Sequence, residues 1–241
     1  MPKLFLTVPD VGATRLALAA AAVVVAAGCH DESTSPKPQT LASLVVEAGD
    51  QQSAPVGTAT PQPIIFLAKD QNGNPMQNVD IVLRPSDGSI GADSTVTTTV
   101  EGEVAVAWTL GTAAKTDTLI ATVPSASSIT PLTIVATATP GPAAQLVVVS
   151  GNDQTATAGS ALGAPLVVQV QDAFGNPVPG ATVTFADDMQ GTFGAVTLTT
   201  DANGDVSDTL TLPASAGTDD ITVTIAGPDG PVTATLEEVA T

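Results

Sequence analysis

The stretch Asp172-Ala173-Phe174-Gly175-Asn176-Pro177 stands 102 residues after Asp70-Gln71-Asn72-Gly73-Asn74-Pro75, and this spacing decides the reading of the chain. The same offset relates Leu44-Val45-Val46 to Leu146-Val147-Val148, Val56-Gly57 to Ala158-Gly159, Gly102 to Gly204, Leu110 to Leu212 and Asp117 to Asp219. A one-residue slip occurs only locally, where Gly88 corresponds to Gly191. A fixed offset held over so long a span marks one structural unit written twice. Two domains follow, at 41–138 and 143–241. The segment 139–142, Thr-Pro-Gly-Pro, joins them, and its prolines favour a semi-rigid joint over free swivelling.

Within each unit the apolar residues alternate with period two, the signature of strands with one buried face. In the first unit this predicts strands at Leu41–Val46, Ile64–Lys69, Val79–Leu83, Thr95–Val100, Glu103–Leu110, Thr116–Val123 and Leu132–Ala138. In the second it predicts Gln145–Val149, Leu166–Gln171, Ala181–Phe185, Ala195–Thr200, Asp205–Leu212, Asp220–Ile225 and Pro231–Glu237. About seven short strands per unit, separated by Gly, Pro, Asn and Asp, imply an all-β chain of two tandem Ig-like β-sandwiches. The alternation Val104, Val106, Trp108, Leu110 points Trp108 into the core, with Leu210 at the matching place of the second unit. In the Gly-Asn-Pro segments, Gly supplies positive φ, Asn tolerates it and Pro fixes the return strand. Asp70 and Asp172 are then placed to accept backbone N–H groups of their own turns.

Ahead of the repeats, Lys3 and Arg15 flank an apolar run from Leu16 to Ala27 that ends in Gly28-Cys29. Twelve apolar residues fall short of the ~20 needed to span a bilayer and suit the core of a signal peptide. The stretch Ala26-Ala27-Gly28-Cys29 resembles a bacterial lipobox, although Ala26 stands where that family usually has Leu. The resemblance implies cleavage between Gly28 and Cys29, a lipoprotein signal peptide at 1–28 and lipidation, palmitate included, of Cys29. The alternative is an ordinary secretory cut between Ala27 and Gly28, which leaves an unpaired thiol in an oxidising compartment. Residues 29–40 hold the lipidated cysteine and a Pro-rich polar tether without periodicity. His30 follows the cysteine directly; in enterobacterial lipoproteins an Asp there implies inner-membrane retention, so His favours the outer membrane. The expected location is the cell envelope, with the membrane contacted through the lipid on Cys29.

The pattern Asp172-x-x-Gly-Asn-Pro-Val-Pro-Gly-x-x-Val-x-Phe185, followed by Gly204, Leu212 and Ser215-Ala216-Gly217, resembles the bacterial Ig-like group 1 (Big-1) domain of intimin- and invasin-type adhesins. The first unit departs from it, with Met76-Gln77-Asn78 replacing Val178-Pro179-Gly180 and Leu83 replacing Phe185. The resemblance implies a structural stalk or an adhesion and protein-interaction module. An unknown protein or a surface glycan would be its partner.

Composition narrows the chemistry further. The formal net charge is −18, and after cleavage at Cys29 the mature chain keeps 4 basic and 23 acidic residues, a net of −19. That balance excludes binding of a nucleic-acid backbone, which needs clustered Lys and Arg. With Cys29 and His30 ahead of it, the repeat region contains no His, Cys or Tyr. Ser-His-Asp and Cys-His catalysis and His- or Cys-based zinc sites are therefore excluded. No phosphate-binding Gly-x-x-x-x-Gly-Lys loop is present. Paired acids such as Asp187-Asp188 are in principle glycosidase chemistry, but aromatics are only 2% of the chain and offer no sugar platform. The reading is no enzyme and no cofactor.

Ca2+ or glycan binding by acidic loops is the alternative function. Asp201-Ala202-Asn203-Gly204-Asp205 superficially opens like a calcium loop, but Val206 and Leu212 occupy the places that need Gly and Glu. Asp201, Asn203 and Asp205, with Asp219 and Asp220, are the weak metal candidates, and a turn or a solvated acidic face is the plainer reading of each. Asp208 takes an inward parity, where the first unit has Val106, and a bulge or edge is expected to keep it solvated because burying an unpaired carboxylate is costly. Phe174, in a turn where the first unit has Asn72, is the candidate contact residue.

Overall fold

Period-two alternation buries one face of each strand and solvates the other, and the strands pair accordingly. A computed structural model describes residues 38–91 and 94–241. The expected signal peptide at 1–28, the cleavage site at Gly28–Cys29, the lipidation site Cys29 and His30 all lie outside the described residues.

The first sandwich is built from β1 (Leu41–Ala48), β2 (Gln52–Pro55), β3 (Ile64–Asp70), β4 (Asp80–Pro85), β5 (Thr95–Thr97), β6 (Glu103–Val106), β7 (Thr116–Thr122) and β8 (Leu132–Thr139). A sheet of order β1-β3-β6 faces one of order β2-β8-β7-β4-β5. The second sandwich repeats this with β9 (Gln145–Ser150), β10 (Thr155–Ala156), β11 (Leu166–Gln171), β12 (Thr182–Asp187), β14 (Thr197–Thr199), β15 (Asp205–Asp208), β17 (Gly217–Gly227) and β18 (Gly230–Ala240). Its sheets run β15-β11-β9 and β10-β18-β17-β12-β14. It adds a two-stranded pairing of β13 (Thr192–Phe193) with β16 (Leu210–Thr211), represented in the first sandwich only by the isolated bridge Ser89–Thr109.

The strand count thus exceeds the expected seven, for two physical reasons. β2 and β10 pair in parallel with the last strand of each sandwich, and they are too short to display alternation. The expected strand Glu103–Leu110 stops at Val106, and Asp205–Leu212 is interrupted at Thr209. Beyond Val106 the chain crosses between sheets, with Thr109 bridging both Ala59 and Ser89.

Each sandwich has its own core. Ile64, Phe66, Ile81, Leu83, Trp108, Leu119 and Ile134 are fully buried in the first. Leu166, Val168, Val183, Leu210, Ile221, Val223 and Leu236 are fully buried in the second. At roughly 1.5–3 kcal/mol for each large side chain removed from water, these layers are the principal stabilisation of a body without disulfides. Trp108 occupies the inward place expected of it, and Leu210 fills the equivalent position. The shared turn glycines are required by sterics: Gly102 and Gly204 have φ of 73° and 75°. A Cβ there would lie 2.8 Å from the Ala68 carbonyl oxygen and 2.7 Å from that of Val170.

Candidate functional site

Two groups of residues are organised beyond what a sandwich needs: the Asp172–Pro177 loop and a set of buried acids in the second sandwich. In the loop, Asp172 Oδ1 accepts the Phe174 and Asn176 amides at 2.8 and 2.9 Å, closing the turn as the sequence suggests. Its Oδ2 reaches out of the turn to accept the Gly141 amide at 2.9 Å, tying down the linker. The Asn176 side chain then bridges to the first sandwich. Its Nδ2 donates to the Thr112 carbonyl at 2.8 Å, and its Oδ1 accepts the Ala114 amide at 2.8 Å. Such paired donor and acceptor use fixes orientation as well as distance. Phe174 completes the joint. It is 56% exposed, and its ring sits 3.3 Å from where a Gly57 Cβ would be. Gly57 thus leaves room for the aromatic ring.

Burial alone would raise the Asp172 pKa, but the Asn176 side chain and the amides of Gly141, Asn176 and Phe174 outweigh it, so the carboxyl is held below the ordinary carboxylate range. Asp70 behaves likewise in the first sandwich: burial is outweighed by the Asn74 and Asn72 amides and by side-chain bonds from Asn74 and Gln39. The described start of the chain is held there too. Gln39 Nε2 donates to Asp70 Oδ2 at 3.3 Å, and the Thr40 amide to Gln71 Oε1 at 2.7 Å. Gln39 therefore stands where Gly141 stands 102 residues later.

The Asp201–Asp205 segment is a tight turn that joins β14 to β15, strands of different sheets. Asp201 Oδ1 accepts the Asn203 and Asp205 amides at 2.8 and 3.0 Å, and the Gly204 amide donates to the Asp201 carbonyl at 3.0 Å. Among the described residues, no three or more His, Cys, Asp or Glu side chains are grouped so as to hold a metal ion. Asp187 and Asp188 serve locally: Asp187 Oδ2 accepts the Gly191 amide and Asp188 Oδ1 the Asp220 amide.

Asp208 departs from expectation. It is buried rather than solvated, and its charge is met by backbone donors: Ala195 N–H to Oδ2 at 3.0 Å and Thr209 N–H to Oδ1 at 2.8 Å. The break after β15 turns the Thr209 amide toward it, and the Ala195 amide comes from the segment between β13 and β14. Asp219 also departs from a solvated acidic face. It is fully buried, facing inward like Ile221 and Val223, while its neighbour Asp220 is exposed. Directly across the β17–β18 ladder lies Glu238, also fully buried. Burial, then Asp187 and Asp188, push the Asp219 carboxyl up to about 6 against a weaker pull from the Met189 amide. Burial pushes Glu238 up to about 7, opposed by the Gln154 amide and reinforced by Asp153 and Asp219. Glu238 was not among the residues singled out from sequence. The signal was present, since position 238 shares the inward parity of Leu236 and lies 102 residues after Ala136.

Residues 148–241, within the second sandwich, match the family model described as Invasin, domain 3. No curated protein matches the chain. Among solved structures, the D00-D0 domain of intimin is 13% identical, covering 83% of this chain and 98% of that one with a TM-score of 0.42. Yersinia pseudotuberculosis InvD is 20% identical over 83% of this chain and 57% of that one, with a TM-score of 0.49. The Escherichia coli adhesin FdeC is 20% identical over 83% and 65%, with a TM-score of 0.47. The chain thus spans little more than half of the InvD chain and under two thirds of the FdeC chain.

Proposed function

We propose that the chain is a lipid-anchored protein of the bacterial cell envelope. Its two Ig-like domains, 41–138 and 143–241 with the 139–142 linker between them, act as a short adhesion or protein-interaction stalk. Attachment is through lipid on Cys29 after cleavage at Gly28–Cys29, and the outer membrane is the intended address. The role is non-enzymatic: the repeat region has no His, Cys or Tyr. The partner is a protein or glycan on a facing surface, with the exposed side of Phe174 available to it.

The observation that carries this reading is the grip of Asn176 on Thr112 and Ala114. A stalk must hold successive modules at a fixed angle, and a side chain that both donates to and accepts from a neighbouring loop does so. The Invasin domain 3 match over residues 148–241 supports the same class. Replacing Cys29 with Ser in cells should abolish palmitate labelling and move the protein to the soluble fraction; membrane retention of that unacylated variant refutes the anchor. Residual dipolar couplings on the chain should align both domains in one frame. Independent tumbling of the two domains refutes the stalk.

A further inference from the structure

The second sandwich has no basic side chain. Every Lys and Arg lies at or before Lys115, the only His is His30, and 12 acidic residues follow position 143. A carboxylate buried there can be met by a backbone amide, by a proton or by a cation from solution. Backbone amides meet the buried Asp172 and Asp208. Asp219 and Glu238 are different.

Both are fully buried and directly opposed across β17 and β18. Neither Asp219 oxygen accepts a well-formed hydrogen bond, the Met189 amide exerting only a weak pull, and Glu238 Oε1 has no partner; Glu238 Oε2 is served by the Gln154 amide at 2.7 Å. The first sandwich shows how the second came to this state. There Asp117, the equivalent of Asp219, accepts the Gly111 amide at 3.0 Å and faces Ala136 across the ladder. The backbone path is the same in both copies, since Gly57 N–H donates to the Gly111 carbonyl and Gly159 N–H to the Pro213 carbonyl. Position 213, however, is proline, which has no N–H to give. The second copy therefore lacks that donor and carries a second acid at the place of Ala136.

We propose that Asp219 and Glu238 form a proton-holding pair, in which a proton shared across β17 and β18 closes the C-terminal hairpin in mildly acidic surroundings and its loss loosens that hairpin. This goes beyond the stalk reading and does not depend on it. A proton turns one unpartnered acceptor into a donor, which the geometry otherwise lacks, and it removes a like-charge opposition within a buried ladder. The charged groups around the pair all act in one direction: Asp187 at the end of β12, Asp188 just after it, Asp220 and Glu237 on the paired strands, and Asp153 before β10. No cation faces it.

The sign follows from the raised values. Between the ordinary values of 3.8 and 4.5 and the folded values of about 6 and about 7, the folded chain keeps protons that the unfolded chain has released. Stability is highest below that window, falls as pH rises through it and levels off above. The two steps belong to the pair jointly.

Thermal unfolding of the full chain at pH 5 and pH 8 tests this. The second sandwich should melt about 5 °C lower at pH 8. Glu238→Ala, which restores the first sandwich's residue, should remove most of that difference, and Glu238→Gln should do the same if loss of side-chain volume makes the Ala variant too unstable to compare. Asp117→Asn in the first sandwich should leave the difference intact. Carboxyl 13C titration should place both midpoints well above the ordinary range. Ordinary midpoints with equal melting at the two pH values overturn the proposal. Millimolar Ca2+ at pH 8 that restores the pH 5 melting temperature also overturns it, in favour of a cation site.

Discussion

In the first sandwich, Asp70 closes its loop through the Asn72 and Asn74 amides and meets Gln39 beyond it. In the second, Asp172 closes the same loop through Phe174 and Asn176 and also holds the linker at Gly141, while Asn176 grips Thr112 and Ala114. The shared part of the two loops is the turn. What differs is the outward side: Asn72 has become Phe174, seated against Gly57, and the loop has acquired a neighbouring domain to hold. The acids show the same division. Asp117 and Asp219 share a backbone setting, but Gly111 serves the first and Pro213 cannot serve the second. The two copies share the scaffold and differ where side chains meet something outside their own turn.

The largest expected effect lies in the cores. Trp108→Ala should cost the first sandwich about 3–5 kcal/mol and Leu210→Ala the second about 2–5 kcal/mol, read by denaturant unfolding. Because the two cores are separate clusters, hydrogen exchange in the undamaged sandwich should stay protected. Loss of protection in both would break the picture of two units. Next comes the joint. Asp172→Ala removes a buried acceptor of charge-assisted bonds and should cost about 2 kcal/mol while freeing the linker; Asp70→Ala should cost less and leave the joint aligned. Both carboxyls are held below the ordinary value of 3.8, so their contribution is present at neutral pH and is lost as pH falls below that range. The joint should therefore loosen in acid, opposite in sign to the Asp219–Glu238 pair, and residual dipolar couplings at pH 3 and pH 7 would separate the two.

Asn176→Ala should lower stability by only about 1 kcal/mol, yet couple the two domains' alignment far more weakly. Asn74→Ala, at the same place in the first loop, should leave alignment unchanged. Equal behaviour of the two variants would show that linker prolines alone set the angle.

The sandwich class and the repeat were legible because they rest on periodicity and spacing, which the residue string carries directly. The strand Leu166–Gln171 was legible to the residue, and most of the others to within one to three residues. β2 and β10 were not, since a short parallel pairing is a backbone event that selects no side-chain pattern. Trp108 was legible as core from parity alone. Asp208 was misread because parity says where a side chain points and nothing about which amides turn to meet it. Phe174 stood out as an odd aromatic in a turn, but its seat on Gly57 belongs to another domain, and nothing in the residue string pairs the two. Glu238 shares the inward parity of Leu236 and the offset of 102 from Ala136, but the residue string does not distinguish a buried acid from one at a solvated strand end.

The smallest effect bears most directly on how the two copies differ. Pro213→Gly returns to the second sandwich the amide that Gly111 supplies to Asp117. Losing proline's restriction of the unfolded chain costs about 0.4–1 kcal/mol, whereas an amide bonded to a charged acceptor contributes about 1.5–3 kcal/mol. The second contribution is complete only when Asp219 is ionised. The variant should therefore be stabilised by about 1 kcal/mol at pH 8 and nearly unchanged at pH 5, which flattens the pH dependence from its alkaline side. The reverse exchange, Gly111→Pro, is not a clean control, because a Cβ at position 111 falls 2.4 Å from Asp87 Cγ. If Pro213→Gly instead lowers stability equally at both pH values, the missing amide is not what leaves Asp219 unserved, and the acid at position 238 alone must account for the difference between the copies.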